Sequence, residues 1–255
     1  QQWALILGAS SGFGEAAARA LAGAGYSILG VHLDRRATLP HVAALVAELE
    51  AAGVEASFHN INAADPERRE AALDAMAERL AGVPVRVLLH SLAFGTLAPH
   101  VGEGAVTAAQ MDMTVRVMAH SLVDWTQGLV RRGMLREGGR IFAMTSSGST
   151  RVIPSYGAVS AAKAALEAHV RQLAAELAPL GVTVNALRGG VTDTPALRKI
   201  PGHERLLEGA LRRNPSGRLT RPEDVARALV ALAGADTYWI TGNVINVDGG
   251  EDILA

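Results

Sequence analysis

The chain has 255 residues, enough for one substantial domain or two small ones, and 49% apolar residues are sufficient to fill a buried core. Its 24 basic and 25 acidic side chains leave a formal net charge of -1, so no global electrostatic attraction to nucleic acid or to a membrane surface is expected. The absence of cysteine excludes disulfides, thiolate zinc sites and a thiol nucleophile. With no apolar run near the roughly 20 residues of a membrane span and no leader pattern at its start, we expect a cytoplasmic protein.

Short β-rich apolar runs alternate with longer stretches whose apolar residues recur at helical spacing. Seven runs predict strands, at residues 3–7, 27–33, 54–60, 85–90, 140–145, 182–187 and 244–247. The stretches between them predict helices, at residues 15–24, 39–52, 66–80, 108–132, 155–180 and 222–233. This alternation predicts an α/β fold of the Rossmann-type, doubly wound class, with a seven-stranded parallel sheet flanked by helices.

No linker, repeat or composition shift divides residues 1–255, so we predict a single domain. A segment at about 192–221 breaks the alternation after the sixth predicted strand, where doubly wound folds open onto their ligands, and we expect it to be a substrate lid. Between residues 195 and 221 the local charge is +5, from the acids Glu204 and Glu208 and seven basic residues, Arg198, Lys199, Arg205, Arg212, Arg213, Arg218 and Arg221.

A glycine-rich turn joins the first predicted strand to the first predicted helix. Gly8, Gly12 and Gly14 lie in this turn, and a strongly helix-forming stretch follows from Glu15. Glycines let the backbone turn tightly and approach a pyrophosphate, whose charge the helix N-terminus stabilises. The alternative is a purely structural turn between strand and helix. The strand before it and the helix after it favour a dinucleotide.

The spacing G-x-x-x-G-x-G resembles the short-chain dehydrogenase/reductase family, and the resemblance extends over essentially the whole chain. Residues 90–93, 184–194 and 242–250 are similar to further motifs of that family. The resemblance implies a dinucleotide site built from eighteen residues: Gly8, Ser10, Ser11, Gly12, Phe13, Gly14, Asp34, Arg35, Arg36, Asn62, Ser91, Leu92, Ala93, Lys163, Gly190, Val191, Thr192 and Thr194.

The end of the second predicted strand bears on the choice of coenzyme. Asp34 lies at about the distance expected of an acid that binds the adenosine ribose, whereas Arg35 and Arg36 are candidates for binding a 2′-phosphate. An aspartate would repel that phosphate, and a guanidinium would bind it bidentately. The family's usual acid position aligns with His32. We therefore favour NADPH and keep NADH as the alternative.

Tyr156 and Lys163 are seven residues apart, whereas most members of the family have Tyr-x-x-x-Lys. The position four residues before the lysine is Val159, which neither donates nor accepts a proton. On a helix, seven residues are close to two turns, so we expect Tyr156 and Lys163 to share one face. Ser146, 17 residues before the lysine, lies where the family has its catalytic serine.

This spacing of seven resembles the enoyl-acyl-carrier-protein reductase branch of the family, as do residues 89–94 and 151–156. The resemblance implies that Tyr156 donates a hydrogen bond to the thioester oxygen, that Lys163 holds the nicotinamide ribose, and that Ser146 is an auxiliary donor. The helical asparagine that serves ketoreductases as a proton relay is expected near residue 118, which here is Met118. This difference disfavours a simple ketoreductase.

We therefore expect an enzyme that reduces trans-2-enoyl thioesters, in fatty-acid synthesis or a specialised lipid pathway. The alternatives are a 3-oxoacyl-thioester or carbonyl reductase and a non-catalytic dinucleotide-binding protein. Acyl carrier protein is the expected partner, docked on the basic lid, although a solvated amphipathic helix explains the same charges. The resemblance implies a homotetramer. The eight histidines show no metal-site spacing, and we predict no metal site, nucleic acid or membrane partner.

Overall fold

The computed structural model describes residues 2–254 and contains one parallel sheet of seven strands. The strands are β1 Gln2–Leu7, β2 Tyr26–His32, β3 Ala56–Asn60, β4 Val85–His90, β5 Arg140–Thr145, β6 Thr183–Gly189 and β7 Val244–Val247. They pair in the order β3-β2-β1-β4-β5-β6-β7. The predicted fold class is confirmed, and the order reverses between β1 and β4, where doubly wound sheets bind their ligands.

Eight α-helices connect the strands in the described part of the chain. They are α1 Gly12–Gly23, α2 Leu39–Ala51, α3 Pro66–Leu80, α4 Ala108–Val115, α5 Ser121–Arg131, α6 Gly157–Leu177, α7 His203–Arg213 and α8 Pro222–Leu232. None of the helices within residues 2–254 is both long and apolar enough to cross a membrane.

Two hydrophobic cores cover the two faces of the sheet. One packs the sheet against α3, α5 and α6 through residues such as Leu73, Trp125 and Val170. The other packs it against α1, α2 and α8. Both faces of the central strands are therefore buried, which explains why these strands are continuously apolar and not alternating. The carboxyl ends of the strands remain free to carry polar side chains.

Local sequence signals explain where several helices begin. Asp65 accepts a hydrogen bond from the backbone N–H of Arg68 at 3.0 Å, and Pro66 occupies the first position of α3. Thr107 and Gln110 form a reciprocal capping box at the start of α4. These caps satisfy N–H groups that otherwise have no partner in the first helical turn.

The helix predicted over residues 108–132 is interrupted. A π-helical turn, Arg116–His120, separates α4 from α5, and the Ser121 hydroxyl donates to the carbonyl of Val117 at 2.6 Å. A hydroxyl that bonds back to the preceding turn competes with the backbone ladder and favours such irregularities. The single long helix was therefore wrong in its continuity, although its outer bounds lie within one residue of those predicted.

The helix predicted over residues 155–180 begins at Gly157. Ser155 has a left-handed backbone with φ of 59°, which a helix cannot continue through, and Tyr156 is the N-cap residue. The helix gives way at residue 178 to a 3₁₀ turn containing Pro179. Tyr156 and Lys163 are therefore not two positions within one regular helix, as we expected, but the N-cap and the seventh residue of α6.

Candidate active site

Glycines allow the backbone segments that follow β1 and β4 to approach each other closely. Gly8 has φ of +89°, and a side chain there would collide with the carbonyl of Ser91, the first residue after β4. A side chain at Gly14 would collide with the carbonyl of Gly8. These two positions therefore require glycine, and the loop they form opens directly onto the N-terminus of α1.

The N-terminus of α1 lacks a side-chain cap. Ser11 is the N-cap residue, but its side chain makes no capping hydrogen bond, so the first N–H groups of the helix face the groove beside Ser10, Gly12 and Phe13. Free N–H groups at the positive end of a helix dipole suit a pyrophosphate. The chain therefore fits a dinucleotide at this point.

Most of the predicted dinucleotide residues line this same groove. Besides the glycine loop, the groove is bordered by Asp34, Arg35, Asn62, Ser91, Leu92, Ala93 and Thr194. Lys163, Gly190, Val191 and Thr192 line the adjoining cavity. Two predicted residues do not line either space: Gly14 is buried inside α1, and Arg36 is exposed.

The Asp34 carboxylate has several hydrogen-bond partners within the protein. Its Oδ2 lies 2.9 Å from Nδ1 of His32, and Ser10 and Thr38 are further hydrogen-bond partners of the carboxylate. Separately, the backbone N–H of Asp34 donates to Oδ1 of Asn60 at 2.9 Å. Partial burial raises the pKa of Asp34, but hydrogen bonds, led by that from Ser10, hold it below its usual value. Asp34 is thus a fixed anion with few free acceptor positions, whereas Arg35 is exposed beside it.

A mainly apolar cavity adjoins the groove and brings the three predicted catalytic side chains, Ser146, Tyr156 and Lys163, together. Ser146 follows β5, and Tyr156 precedes α6. Gly148 separates them: a Cβ there would lie 2.7 Å from the Tyr156 ring and 3.2 Å from the Ser146 hydroxyl. The absence of a side chain at position 148 is therefore what lets the tyrosine ring approach the serine.

The Tyr156 phenol is buried, and burial raises its pKa, while the neighbouring Ser146 hydroxyl opposes that rise. Ser146 Oγ is itself buried and has no hydrogen-bond partner of good geometry. A buried hydroxyl without a partner is costly, so this donor is available to a ligand oxygen. Tyr156 remains protonated at neutral pH and can donate to the same oxygen.

Lys163 is 5% exposed, and its ammonium donates to the carbonyl of Met144 at 2.7 Å. Burial lowers the pKa of Lys163 to about 8, while the negative charge of Glu167 opposes this shift. Met144 belongs to β5, two residues before Ser146. The lysine therefore connects α6 to the strand that carries the serine, and it is cationic below about pH 8.

An apolar cluster forms part of the wall of the cavity. Val159 and Met118 are buried members of this cluster, and the partly buried Tyr156 packs against it. A Cβ at Gly95 would lie 2.7 Å from Val159 and 2.9 Å from the sulfur of Met118. The two positions where a ketoreductase is expected to have tyrosine and asparagine are thus tightly packed and offer no hydrogen bond.

The segment predicted to be a lid contains a 3₁₀ turn and α7, and three of its side chains that sequence reasoning did not select line the cavity. These are Leu197, Ile200 and Leu206. The near-helical spacing of these apolar residues within the arginine-rich segment is the sequence signal that could have identified them as one apolar face. Thr194 does more than border the groove, since its hydroxyl accepts from the N–H of Leu197 at 3.2 Å and fixes the start of the lid.

Several basic lid residues are already paired. Arg198 lies 2.7 Å from Asp193, Arg218 lies 2.6 Å from Asp224, and Arg213 lies 3.6 Å from Glu251. Glu251, which sequence reasoning missed, also accepts from the backbone N–H of Val191 at 3.0 Å. The outer face of α7 therefore presents fewer unpaired positive charges than the local charge implied, mainly those of Arg205 and Arg212.

A dinucleotide groove beside a tyrosine, a lysine and a serine defines the protein as a doubly wound α/β oxidoreductase. A family model described as Enoyl-(Acyl carrier protein) reductase matches residues 8–251. The chain belongs to this family, the enoyl-acyl-carrier-protein reductase branch of the short-chain dehydrogenases/reductases. Among residues 2–254, no group of three or more histidine or acidic side chains is arranged to hold a metal ion.

Proteins similar to this chain include reductases with different substrates. A 1-cyclohexenylcarbonyl-CoA reductase of Streptomyces collinus is 31% identical over 100% of this chain and 88% of its own. A 3-oxoacyl-[acyl-carrier-protein] reductase of Thermotoga maritima is 26% identical over 96% of both chains. The crystal structure of Bacillus cereus enoyl-acyl carrier protein reductase with NADP+ and indole naphthyridinone has a TM-score of 0.90 at 25% identity, covering 100% of this chain and 97% of that one. A nicotinamide dinucleotide cofactor follows from these relatives.

The space at Gly148 gives the first prediction. Gly148→Ala should displace the Tyr156 ring from Ser146, because the new methyl group would collide with it. We expect turnover to fall by roughly tenfold or more while dinucleotide affinity, measured by fluorescence, is retained.

Gly23→Ala, on α1, is the matched control, because nothing lies within 4 Å of its added Cβ. Unchanged turnover in Gly148→Ala would show that the contact between Tyr156 and Ser146 is not needed.

Proposed function

We propose that the protein reduces the C2=C3 double bond of trans-2-enoyl thioesters with NADPH. The observation that carries this proposal is the environment of Tyr156. Its phenol faces the cavity beside Ser146, while Val159 and Met118 remove the polar groups expected of a ketoreductase. The Tyr156 and Ser146 donors thus lie together beside an apolar part of the cavity lining.

The chemistry of the substrate explains why donors at one point suffice. The nicotinamide supplies a hydride, which enters an enoyl thioester at C3, whereas negative charge develops on the carbonyl oxygen of C1. Tyr156 and Ser146 are proposed to donate to that oxygen and to stabilise the enolate, and C2 then takes a proton from solvent to complete the reduction. Lys163 is proposed to hold the nicotinamide ribose and, as a cation, to make the phenol a better acid. No proton relay is needed at positions 118 and 159.

A cyclic acyl group is a second candidate for the substrate. A 1-cyclohexenylcarbonyl thioester also has its double bond conjugated to a thioester, and a relative named for that coenzyme A substrate matches the whole chain. The apolar lining includes Leu97, Ile153 and side chains of the predicted lid, and either a linear chain or a ring is proposed to lie against it. Reduction of 3-oxoacyl thioesters is the remaining alternative. It is disfavoured because Val159 and Met118 occupy the positions where a ketoreductase is expected to have tyrosine and asparagine.

The proposed role of Tyr156 is tested with two substrates. The wild-type protein should consume NADPH with crotonyl thioester and much less with acetoacetyl thioester. Tyr156→Phe should lower kcat on the crotonyl substrate by roughly 10²-fold, the range typical of losing one oxyanion donor, with NADPH binding nearly intact.

The exposed Tyr238, substituted in the same way, is the control. A preference for acetoacetyl thioester in the wild type would support the carbonyl-reductase alternative. Full activity of Tyr156→Phe would contradict the role given to the phenol.

We propose that Arg35 binds the 2′-phosphate of NADPH, since it borders the groove and Asp34 is occupied by its own hydrogen bonds. Arg35→Ala should raise KM for NADPH by roughly tenfold and leave KM for NADH nearly unchanged. Arg36→Ala is the matched control, because Arg36 lies outside the groove. A native preference for NADH would show that Asp34, through the ribose hydroxyls, governs the choice.

We propose that acyl carrier protein docks on the outer face of α7 through Arg205 and Arg212. The double variant Arg205→Glu, Arg212→Glu should lower kcat/KM several-fold for a carrier-protein substrate at low salt, and the effect should shrink as ionic strength rises. Activity on a pantetheine thioester should stay unchanged.

The control for this experiment reverses the same amount of charge elsewhere, at the exposed residues Arg68 and Arg171. Equal losses on carrier-protein and pantetheine substrates would mean that the arginines serve the fold of the lid. Equal losses in the control variant would mean that total charge, and not a docking face, is responsible.

A further inference from the structure

Arg188 occupies an unusual place at the end of β6, where a charged side chain is buried between three parts of the chain. Its side chain is 12% exposed. The guanidinium lies 3.2 Å from Oε1 of Glu167 on α6, donates to the hydroxyl of Ser149 at 3.1 Å, and lies 3.4 Å from Oδ2 of Asp252 near the C-terminus. A buried cation with partners on three segments fixes their relative positions.

Two of these partners lead directly to the end of β5. Glu167 Oε1 also accepts from the hydroxyl of Thr145 at 2.7 Å, and the Ser149 hydroxyl donates to the carbonyl of Ser146 at 3.0 Å. Thr145 is the last residue of β5, and Ser146 is the serine of the site. Arg188 therefore holds this turn from both sides, through Glu167 and through Ser149.

The catalytic lysine is attached to the same strand end. Lys163 lies one helical turn before Glu167 on α6 and donates to Met144 at 2.7 Å. Three consecutive residues, Met144, Thr145 and Ser146, are thus each bound by a polar side chain. The bonds from Lys163 to Met144 and from Thr145 to Glu167 fix the position of α6 along β5, and Arg188 holds Glu167 in place.

The C-terminal segment completes the arrangement. Arg151, in the loop that leads to Tyr156, donates to the carbonyl of Asp252 at 2.9 Å and lies 3.0 Å from its carboxylate. Asp252 therefore bridges Arg188, which holds the serine turn, and Arg151, which holds the tyrosine loop. Charges alternate from Glu167 through Arg188 and Asp252 to Arg151, so each side chain is held by a neighbour of opposite sign.

We propose that Arg188, acting through Glu167 and Ser149, is a positioning residue that keeps the Ser146 hydroxyl in register with Tyr156 and Lys163. The proposal rests on the proposed catalytic use of these three side chains. Arg188 touches neither substrate nor dinucleotide groove, so its loss should change the rate of the chemical step and not binding.

The test compares Arg188→Lys, Arg188→Ala and Ser149→Ala, measured with whichever thioester the wild-type protein reduces, so that a wrong substrate assignment does not count as failure. Arg188→Ala should lower kcat by roughly tenfold to a hundredfold, with KM and NADPH affinity within about twofold of wild type. Added guanidinium ion, against a sodium chloride control, should restore part of the rate. Arg188→Lys should recover little, because an ammonium cannot reach three partners at once.

Arg132→Ala is the matched control, since Arg132, the C-cap residue of α5, also holds two carboxylates, Glu70 and Asp74, but lies outside the site. Ser149→Ala removes the hydroxyl that joins Arg188 to the Ser146 carbonyl, without leaving a buried charge, while the backbone N–H of Ser149 still donates to that carbonyl at 3.1 Å. This variant therefore decides the case if Arg188→Ala does not fold: a several-fold loss of kcat at unchanged KM supports the proposal, and wild-type kcat overturns it. A rise in KM in place of a fall in kcat, no rescue by guanidinium, or equal loss in Arg132→Ala also overturns it.

A pH profile adds a readout that a merely structural role would not move. Glu167→Gln removes the negative charge that opposes the lowering of the Lys163 pKa. Activity that needs the lysine cation is lost as pH rises through its pKa of about 8, and the variant should lose it at lower pH. A basic limb in the same place as in the wild type would contradict the coupling of Glu167 to the site.

Discussion

The site is organised around one buried cation. Transfer of an ammonium from water to the protein interior is strongly unfavourable unless the group is paired or hydrogen-bonded, and Lys163 meets this condition with one carbonyl of β5 and the nearby charge of Glu167. Because those partners are fixed in the sheet and in α6, the helix has little freedom to slide. The position of Tyr156 at the helix start, and of Ser146 after the strand, follows from that constraint.

Sequence patterns predicted the sheet and the glycine loop because both depend on local properties. Continuous apolar runs are what strands buried on two faces require, and glycines at positions 8 and 14 are required by contacts that only glycine permits. Helix continuity was harder to predict. The hydroxyl of Ser121 interrupts the ladder, and the left-handed backbone of Ser155 delays α6, neither of which changes the hydrophobic spacing that sequence reasoning uses.

The candidate site was predicted in its residue types but not in its connections. Tyr156, Lys163 and Ser146 were selected because their spacing resembles a known branch, and the structure brings them to one cavity. Glu167, Arg188 and Asp252 were not selected, because each is far from the others along the chain and no local signal links them. Arg213 shows the same limit, since counting charges along the lid could not reveal that it lies beside Glu251.

Selectivity in this site is proposed to come from the removal of polar groups as much as from their addition. An apolar wall beside the proposed donors discriminates by leaving polar atoms of a competing substrate unsatisfied there. Val159 and Met118 create that condition beside Tyr156, and their packing against Gly95 leaves no room for a larger side chain at position 95. The wall that excludes a proton relay is therefore also a packed part of the core.

The short segment after β7 contacts both α7 and the turns that carry Ser146 and Tyr156. Glu251 lies beside Arg213 at the end of α7 and accepts from Val191, while Asp252 contacts Arg188 and Arg151. Two adjacent residues thus face opposite ways, one toward the lid and one toward the turns that hold serine and tyrosine. Because the two acids pair with arginines on different elements, a shift of this segment is expected to act on α7 and on the turns that hold Ser146 and Tyr156 together.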